Sequence, residues 1–392
     1  MARIVIDGRW LKQTGIGRYV ENLIEAAARL NSKHDFVLLI RAEDRPHLTP
    51  TLAQLEIIEV DILWYTPQEQ LRLPKILEAA KPDLVHFTNF NMPLKYRKPF
   101  VVTVHDLTLL RFKNVRAGLF APVTYRLKDV VMRHVLKTAI NRSRAVFTPS
   151  EFVKQDILKH YRIQPDKIRV TLNALDQDMA RPDIDLKKFG IKEPYFFHVG
   201  NAYPHKNLSR MLKAYAKVRE TNPAFPYHLV LAGKKDEFLV RIEKEAKKLK
   251  LTEWVHLTDR LTDAELAGLY TNASGYIIPA LSEGFGIPGL EAMHYGIPVM
   301  SSNATCLPEV YGKAAEFFDP RKVDDIARAM TTVLGNKQRS AELIKAGRIQ
   351  VKKYSWKTSA EVLLKGYEEA LKKPQGSNLI DRLTRRRTVN PK

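Results

Sequence analysis

The stretch Ser282-Glu283-Gly284-Phe285-Gly286-Ile287-Pro288-Gly289-Leu290-Glu291-Ala292 sets two carboxylates around a glycine loop that opens a helix. Upstream, Gly275-Tyr276-Ile277-Ile278-Pro279 reads as a short buried strand closed by proline. Pro288 suits the first helical position, and Gly296 sits where a helix from about Pro288 to Tyr295 needs a left-handed stop, which places the start near Ile287. Free N–H groups at that start, on a loop where Gly284 and Gly286 allow close approach, favour an anion such as a diphosphate. Carboxylates beside a phosphate would repel it. Their useful work is to accept hydrogen bonds from hydroxyls, one on a sugar and one on a ribose. The set suits a nucleotide sugar. Taken alone, the pair also fits a helix-dipole acid at Glu283, a solvated helix residue at Glu291 and a core Phe285.

Other residues could share the chemistry. Lys206, a cation near a helix start after Gly200, suits a phosphate, with a merely solvated lysine as the alternative. Gly15 and Gly17 at a strand-to-helix junction would let a phosphate approach, or simply form a tight turn. Two glycines fall short of the dinucleotide fingerprint, and Arg41-Ala42-Glu43-Asp44 is an ambiguous match to its ribose-binding acid, which argues against a dehydrogenase. His105 beside Asp106 at a strand end has the composition of an acid/base pair, but neighbours on an extended chain point opposite ways. His86, His198, His205 and His294 show no zinc spacing, and the single cysteine, Cys306, leaves neither a disulfide nor a multi-cysteine metal site. Asp176-Gln177-Asp178 and Asp183-Ile184-Asp185 read as solvated turns. No metal site is expected.

The elements that position these residues alternate. Strands are expected at Ile4-Val5-Ile6, Phe36 to Ile40, Leu84 to Phe87, Phe100 to Val104, Ala145 to Thr148 and Ile168 to Thr171, with an amphipathic helix through Ala28. The second half repeats the pattern at Tyr195 to Val199, His228 to Ala232, Val255 to Leu257, Tyr276 to Ile278 and Val299 to Ser301. This is an α/β chain with two parallel sheets covered by helices, and ligands belong beyond the carboxyl ends of the strands. The expected domains are 1–175 and 176–355, with a helix over 356–373 and a basic tail over 374–392 carrying Arg385-Arg386-Arg387.

The chain resembles the retaining glycosyltransferases of family 4, which have the GT-B fold. Glu283-Gly284-Phe285-Gly286-Ile287-Pro288-Gly289-Leu290-Glu291-Ala292-Met293 matches their signature, followed by Gly296-Ile297-Pro298-Val299 and Leu307-Pro308-Glu309-Val310. Gly15-Ile16-Gly17-Arg18-Tyr19-Val20, Val104-His105-Asp106-Leu107-Thr108, Thr148-Pro149-Ser150-Glu151-Phe152, His198-Val199-Gly200 and His205-Lys206-Asn207 follow in the family's order.

The resemblance implies two Rossmann-like domains facing a central cleft, an acceptor-binding first domain and a donor-binding second one, with the last helix packing back on the first. It implies catalytic roles for His105, Glu283 and Lys206, and donor contacts from Gly15, Gly17, Gly200, Asn201, Gly284, Phe285, Gly286, Ile287 and Glu291. Where the family commonly has arginines, this chain has Asn201 and His205, so diphosphate charge would rest on Lys206 and the loop N–H groups, with Lys234 and Arg18 as further candidates. The implied reaction is metal-independent transfer of a hexose, mannose favoured, from a donor such as GDP-mannose to a hydroxyl, with retention and without an enzymic nucleophile or a cofactor.

The chain has 392 residues, enough for two domains, and 45% hydrophobic residues to fill two cores. Its net charge is +21, and residues 111–169 hold 14 Lys and Arg against 4 Asp and Glu. An anionic partner follows. Nucleic acid lacks any recognition motif to support it. Val123 to Ile140, with Arg126, Lys128, Arg133 and Lys137, reads as a basic amphipathic helix for anionic headgroups, or as a solvated basic face. With no apolar run approaching about 20 residues, the expectation is a cytoplasmic protein, peripheral at the inner face of the plasma membrane, whose acceptor is lipid-linked or a polysaccharide. A different GT-B enzyme, such as a phosphorylase or sugar-nucleotide epimerase, and a non-catalytic basic sugar- or membrane-binding protein remain alternatives.

Overall fold

The structure, a computed structural model, describes residues 1–11, 13–30, 33–112, 122–175, 179–182 and 184–372. Asp176, Asp178, Asp183 and the Arg385-Arg386-Arg387 tail lie outside them, as do the side chains of the basic helix before Lys128. Among the described residues, β1 (Arg3–Asp7), β2 (Asp35–Ile40), β3 (Glu56–Glu59), β4 (Leu84–Phe87), β5 (Phe100–Thr103), β6 (Val146–Thr148) and β7 (Ile168–Val170) form one sheet in the order β3-β2-β1-β4-β5-β6-β7. β8 (Tyr195–Val199), β9 (His228–Ala232), β10 (Val255–Thr258), β11 (Gly275–Ile278), β12 (Val299–Ser302) and β13 (Ala315–Phe318) form a second, in the order β10-β9-β8-β11-β12-β13.

Every neighbouring pair is parallel. Parallel strands joined by helical crossovers are covered on both faces, which is why β4 and β5 are buried at every position. The strand order turns back between β1 and β4 in the first sheet and between β8 and β11 in the second. Loops that leave the carboxyl ends of these strands diverge there and open a crevice for ligands. β3 and β13 had no counterpart in the sequence reading. The first is Glu-Ile-Ile-Glu, an edge strand with both glutamates exposed.

The chain divides into two compact units over its described parts. One holds Met1–Leu107, Val115–Asn173 and the chain from Trp356; the other holds Thr108–Asn114 and Ala174–Ser355. Thr108 to Phe112 therefore separates from the sequence around it. Its anchor is Thr108, whose Oγ1 lies 3.0 Å from Ser282 Oγ.

The last helix, Trp356–Lys372, belongs to the first unit because it supplies a wall of its core. Ala360, Leu363, Tyr367 and Ala370 pack with Ile4, Ile6, Leu38 and Phe147 from the sheet and with Tyr19, Leu23 and Ala27 of the helix Thr14–Arg29. Polar ties fix it: Ser359 Oγ donates to Leu172 O at 2.6 Å, and Arg144 donates to Ala370 O at 2.8 Å. His86 on β4 is wholly buried between Tyr367 Oη (2.7 Å) and Thr103 Oγ1 (2.8 Å), and burial holds it neutral, with its pKa pushed down to about 3. Its role is structural.

Candidate functional site

In the second unit the loops after β8 and β11, the strands flanking the switch point, are stitched together. Leu281 N donates to His205 O at 2.7 Å, and Asn207 Nδ2 donates to Pro279 O at 3.0 Å and to Pro320 O at 2.8 Å. Gly200 has φ 143°, and Gly233 at the end of β9 lies so close that a Cβ there would sit 2.1 Å from Gly200 O. His198 donates Nδ1–H to Ile277 O at 2.9 Å. Burial depresses its pKa to about 4, so its Nε2 is an acceptor, and neither it nor Asn201 Oδ1 has a partner among the described residues.

The charged groups converge on this point. Lys206 closes the short turn Pro204–Lys206 before the helix Leu208–Thr221, and its Nζ meets Glu283 Oε1 at 2.6 Å, with both side chains less than a fifth exposed. Glu283 is fixed through its backbone: its N–H donates to Thr305 Oγ1 at 3.1 Å, and its carbonyl accepts from Cys306 Sγ at 3.3 Å. Glu291 is buried and accepts from Tyr270 Oη at 2.7 Å, so it is no solvated helix residue. Phe285 is also buried, edge-on against Tyr354 at 5.4 Å, which makes it part of the core.

The helix Ile287–Tyr295 starts at Ile287, as the sequence places it, with Pro288 in its second rather than its first position. Left-handed glycines bound it, Gly286 at φ 93° and Gly296 at φ 78°, and no side chain caps its start. Gly284 leads into that start. Tyr311 packs beneath: its hydroxyl donates to Gly286 O at 2.6 Å, and a Cβ on Gly286 or Gly289 would fall 2.5 or 2.2 Å from that oxygen. The glycines are thus required by close packing as much as by ligand approach.

The first unit holds the remaining candidates. A Cβ on Gly17 would meet Leu11 O at 2.2 Å, so this glycine serves the tight turn; the space around Gly15 is open. His105 donates Nε2–H to Thr88 O at 2.8 Å and stands edge-on to Tyr19 at 4.9 Å. Burial lowers its pKa, which leaves Nδ1 as a lone-pair acceptor. Thr88 in turn bonds Asp7 O at 2.5 Å, so His105 hangs from the β1/β4 switch point.

Lys206, Glu283, Gly284 to Ile287, Glu291, Gly200 and Asn201 therefore gather at one switch point, and Gly15, Gly17 and His105 lie in the other unit. Tyr270, Thr305 and Tyr311 complete the first group without having been singled out by sequence, together with Cys306 and His198, to which the sequence assigned no site role. Tyr311 follows directly on Leu307-Pro308-Glu309-Val310, and His198 opens the His198-Val199-Gly200 motif. Among the described residues no group of three or more His, Cys, Asp or Glu could hold a metal ion, and no helix is long and apolar enough to cross a membrane.

Comparison with known proteins identifies the family and the fold. The family profile described as Glycosyltransferase Family 4 matches residues 13–179, and that described as Glycosyl transferases group 1 matches residues 183–350. O-antigen chain mannosyltransferase B of Escherichia coli is 28% identical over 74% of this chain and 76% of its own length. O-antigen chain mannosyltransferase RfbU of Salmonella typhimurium is 29% identical over 66% of this chain and 67% of its own. Among solved structures, Anabaena HepE in complex with UDP and glucose superposes with a TM-score of 0.72, at 16% identity, over 94% of this chain and all of that one. The two sheets are those of the GT-B fold, and the chain belongs to the group 1, family 4 glycosyltransferases.

Proposed function

We propose that this enzyme transfers mannose from a nucleoside diphosphate donor, GDP-mannose first among candidates, to a hydroxyl of a polysaccharide or lipid-linked acceptor, with retention and without a metal ion. The observation that carries the reading is the meeting of Lys206, Glu283 and the uncapped start of Ile287–Tyr295 at the β8/β11 switch point. Departure of a nucleoside diphosphate builds negative charge on phosphate, and a lysine with a helix N-terminus answers that charge directly. When phosphate draws Lys206 away, Glu283 is released to accept from a sugar hydroxyl. Glu291, oriented by Tyr270, would take a ribose hydroxyl. In the first unit, His105 holds its proton on Nε2 and offers Nδ1 to a hydroxyl. The choice of mannose rests on the relatives named as mannosyltransferases.

The same reading sets the helix Pro122–Arg142 against an anionic bilayer surface. Val130 and Val131 are exposed beside Lys128 and Arg133 on this helix, apolar and cationic groups together, as headgroups require.

The test is transfer and hydrolysis with a panel of nucleotide sugars, with and without a chelator, comparing wild type with Lys206→Ala and Glu291→Ala, and with product anomeric configuration read by NMR. Turnover of GDP-mannose that survives chelation and collapses in both variants, giving an α-product, supports the donor, the retention and the metal independence. Chelator sensitivity overturns metal independence, a different donor overturns mannose, and a β-product overturns retention.

A further inference from the structure

We infer that the first unit carries an aromatic platform for the pyranose rings of an acceptor glycan, formed by Trp64, Tyr65 and Phe90 over the buried Trp10 at the carboxyl edge of its sheet. The inference deepens the transferase reading by naming the acceptor's chemistry. Trp10 follows β1 and Phe90 follows β4, the two strands that flank the switch point, and Trp64 and Tyr65 rise from the loop after β3. The rings run on from one another: Trp10 to Trp64 at 4.5 Å, Trp10 to Tyr65 at 5.8 Å and Tyr65 to Phe90 at 6.2 Å. This is also where apolar groups reach the surface. Of the large hydrophobic side chains exposed among the described residues, Leu63, Tyr65 and Leu71 fall within one short stretch, at 46%, 46% and 60%.

Tyr65 is held there against its own preference. Its φ is 61°, a left-handed conformation that is unfavourable for an aromatic residue and persists only where surroundings impose it. The imposing group is Glu69, whose Oε2 accepts the Tyr65 N–H at 2.9 Å. Glu69 is buried against Arg9 (2.7 Å), and the wholly buried Arg9 grips Asp7 through Nε (2.8 Å) and Nη2 (2.7 Å). Asn91 Nδ2 joins at Glu69 Oε1 (2.8 Å). One network thus ties together the loops after β1, β3 and β4, and the rings stand preorganised on it.

A pyranose presents a C–H face that packs on the negative face of an aromatic ring, and hydroxyls that need polar partners at the rim. Polar groups border and underlie the rings. Asn89 bonds the Tyr65 hydroxyl and the Arg41 guanidinium lies 5.6 Å over the Trp64 ring, while beneath them Asn91 Oδ1 and Trp10 Nε1 are buried without a partner among the described residues. An acyl chain would have no use for that polar border.

The test is calorimetric titration of the full chain, without donor, with mannose, glucose and galactose oligosaccharides of one to four units. The variants are Trp64→Ala, Trp64→Phe and Tyr65→Gly. The glycine removes the ring while relieving the backbone, so loss of binding there cannot be assigned to unfolding. The platform predicts affinity rising with chain length, losses of roughly tenfold or more in Trp64→Ala and Tyr65→Gly, and retention within about threefold in Trp64→Phe. Wild-type affinity in the two truncated variants, or no binding of any oligosaccharide by wild type, overturns it. Since no donor enters the titration, failure of the mannosyl reading would leave this result legible.

Discussion

Lys206 Nζ and Glu283 Oε1 stand 2.6 Å apart, so the cation suited to a phosphate and the carboxylate suited to a hydroxyl hold each other before either meets a ligand. Each is the other's principal solvation, and removing one leaves an unpaired charge in a partly buried place. Lys206→Met and Glu283→Gln should each lower kcat/KM for the donor by about 10²-fold. The double variant should lose less than the product of the two, because each single change already disrupts the shared pair. Steady-state kinetics with the donor varied closes the cycle; strictly multiplicative losses would show that the two groups act apart.

Tyr270 and Glu291 give a different prediction. The Tyr270 hydroxyl, 2.7 Å from Glu291 Oε2, orients a buried carboxylate that no part of the leaving-group chemistry requires. Tyr270→Phe should cost about 1.5–3 kcal/mol of stability, as loss of a hydrogen bond to a charged group does. It should also raise the donor KM severalfold while kcat holds, the pattern of binding energy expressed equally in ground and transition states. Urea melts and donor saturation curves read the two effects separately, and an unchanged KM would remove Glu291 from the donor site.

The signature helix was legible because both its ends are local. Gly286 and Gly296 each take the left-handed conformation that glycine alone adopts freely, and the turn between β11 and the helix is written in consecutive residues. The buried strands were legible for the same reason, as unbroken apolar runs. β3 was not: Ile57 and Ile58 between two glutamates make too short a run, and the strand exists because β2 offers it an edge. Nor were Tyr270, Thr305 and Cys306, whose contacts with the signature loop join residues about twenty positions apart through the fold rather than along the chain. The Lys206–Glu283 pair is longer-range still. Sequence supplied both residues, and only the β8/β11 adjacency made them partners.

Gly289 tests how tightly Tyr311 closes the loop from below. A methyl group there would lie 2.2 Å from the Tyr311 hydroxyl and 2.3 Å from the ring carbon that bears it. Tyr311 is wholly buried and cannot swing out. Gly289→Ala should destabilise by about 2–3 kcal/mol, as overpacking does, despite alanine's better helix propensity. Tyr311→Phe removes the hydroxyl that donates to Gly286 O but keeps the ring, and should cost about 1 kcal/mol. Since the ring carbon remains in the way, combining the two should rescue little. Thermal melts of the three variants decide it, and a Gly289→Ala protein as stable as wild type would mean that the loop moves more readily than this packing allows.

Acid should destabilise the first unit through His86. Its folded pKa of about 3 lies below the ordinary 6.5 because burial between Tyr367 and Thr103 excludes the charged form. Below pH 6.5 the unfolded chain therefore binds a proton that the folded chain refuses. Stability falls as pH falls from about 6.5 towards 3, by at most about 1.4 kcal/mol per pH unit for this group. His198 and His256, each depressed to about 4, act in the same direction. His86→Asn should be less stable than wild type at pH 7, where the histidine's two bonds are intact. It should also lose stability less steeply between pH 6 and 4, by close to one proton. Urea titrations at several pH values measure the two slopes; parallel slopes would show that His86 takes up its proton without leaving the fold.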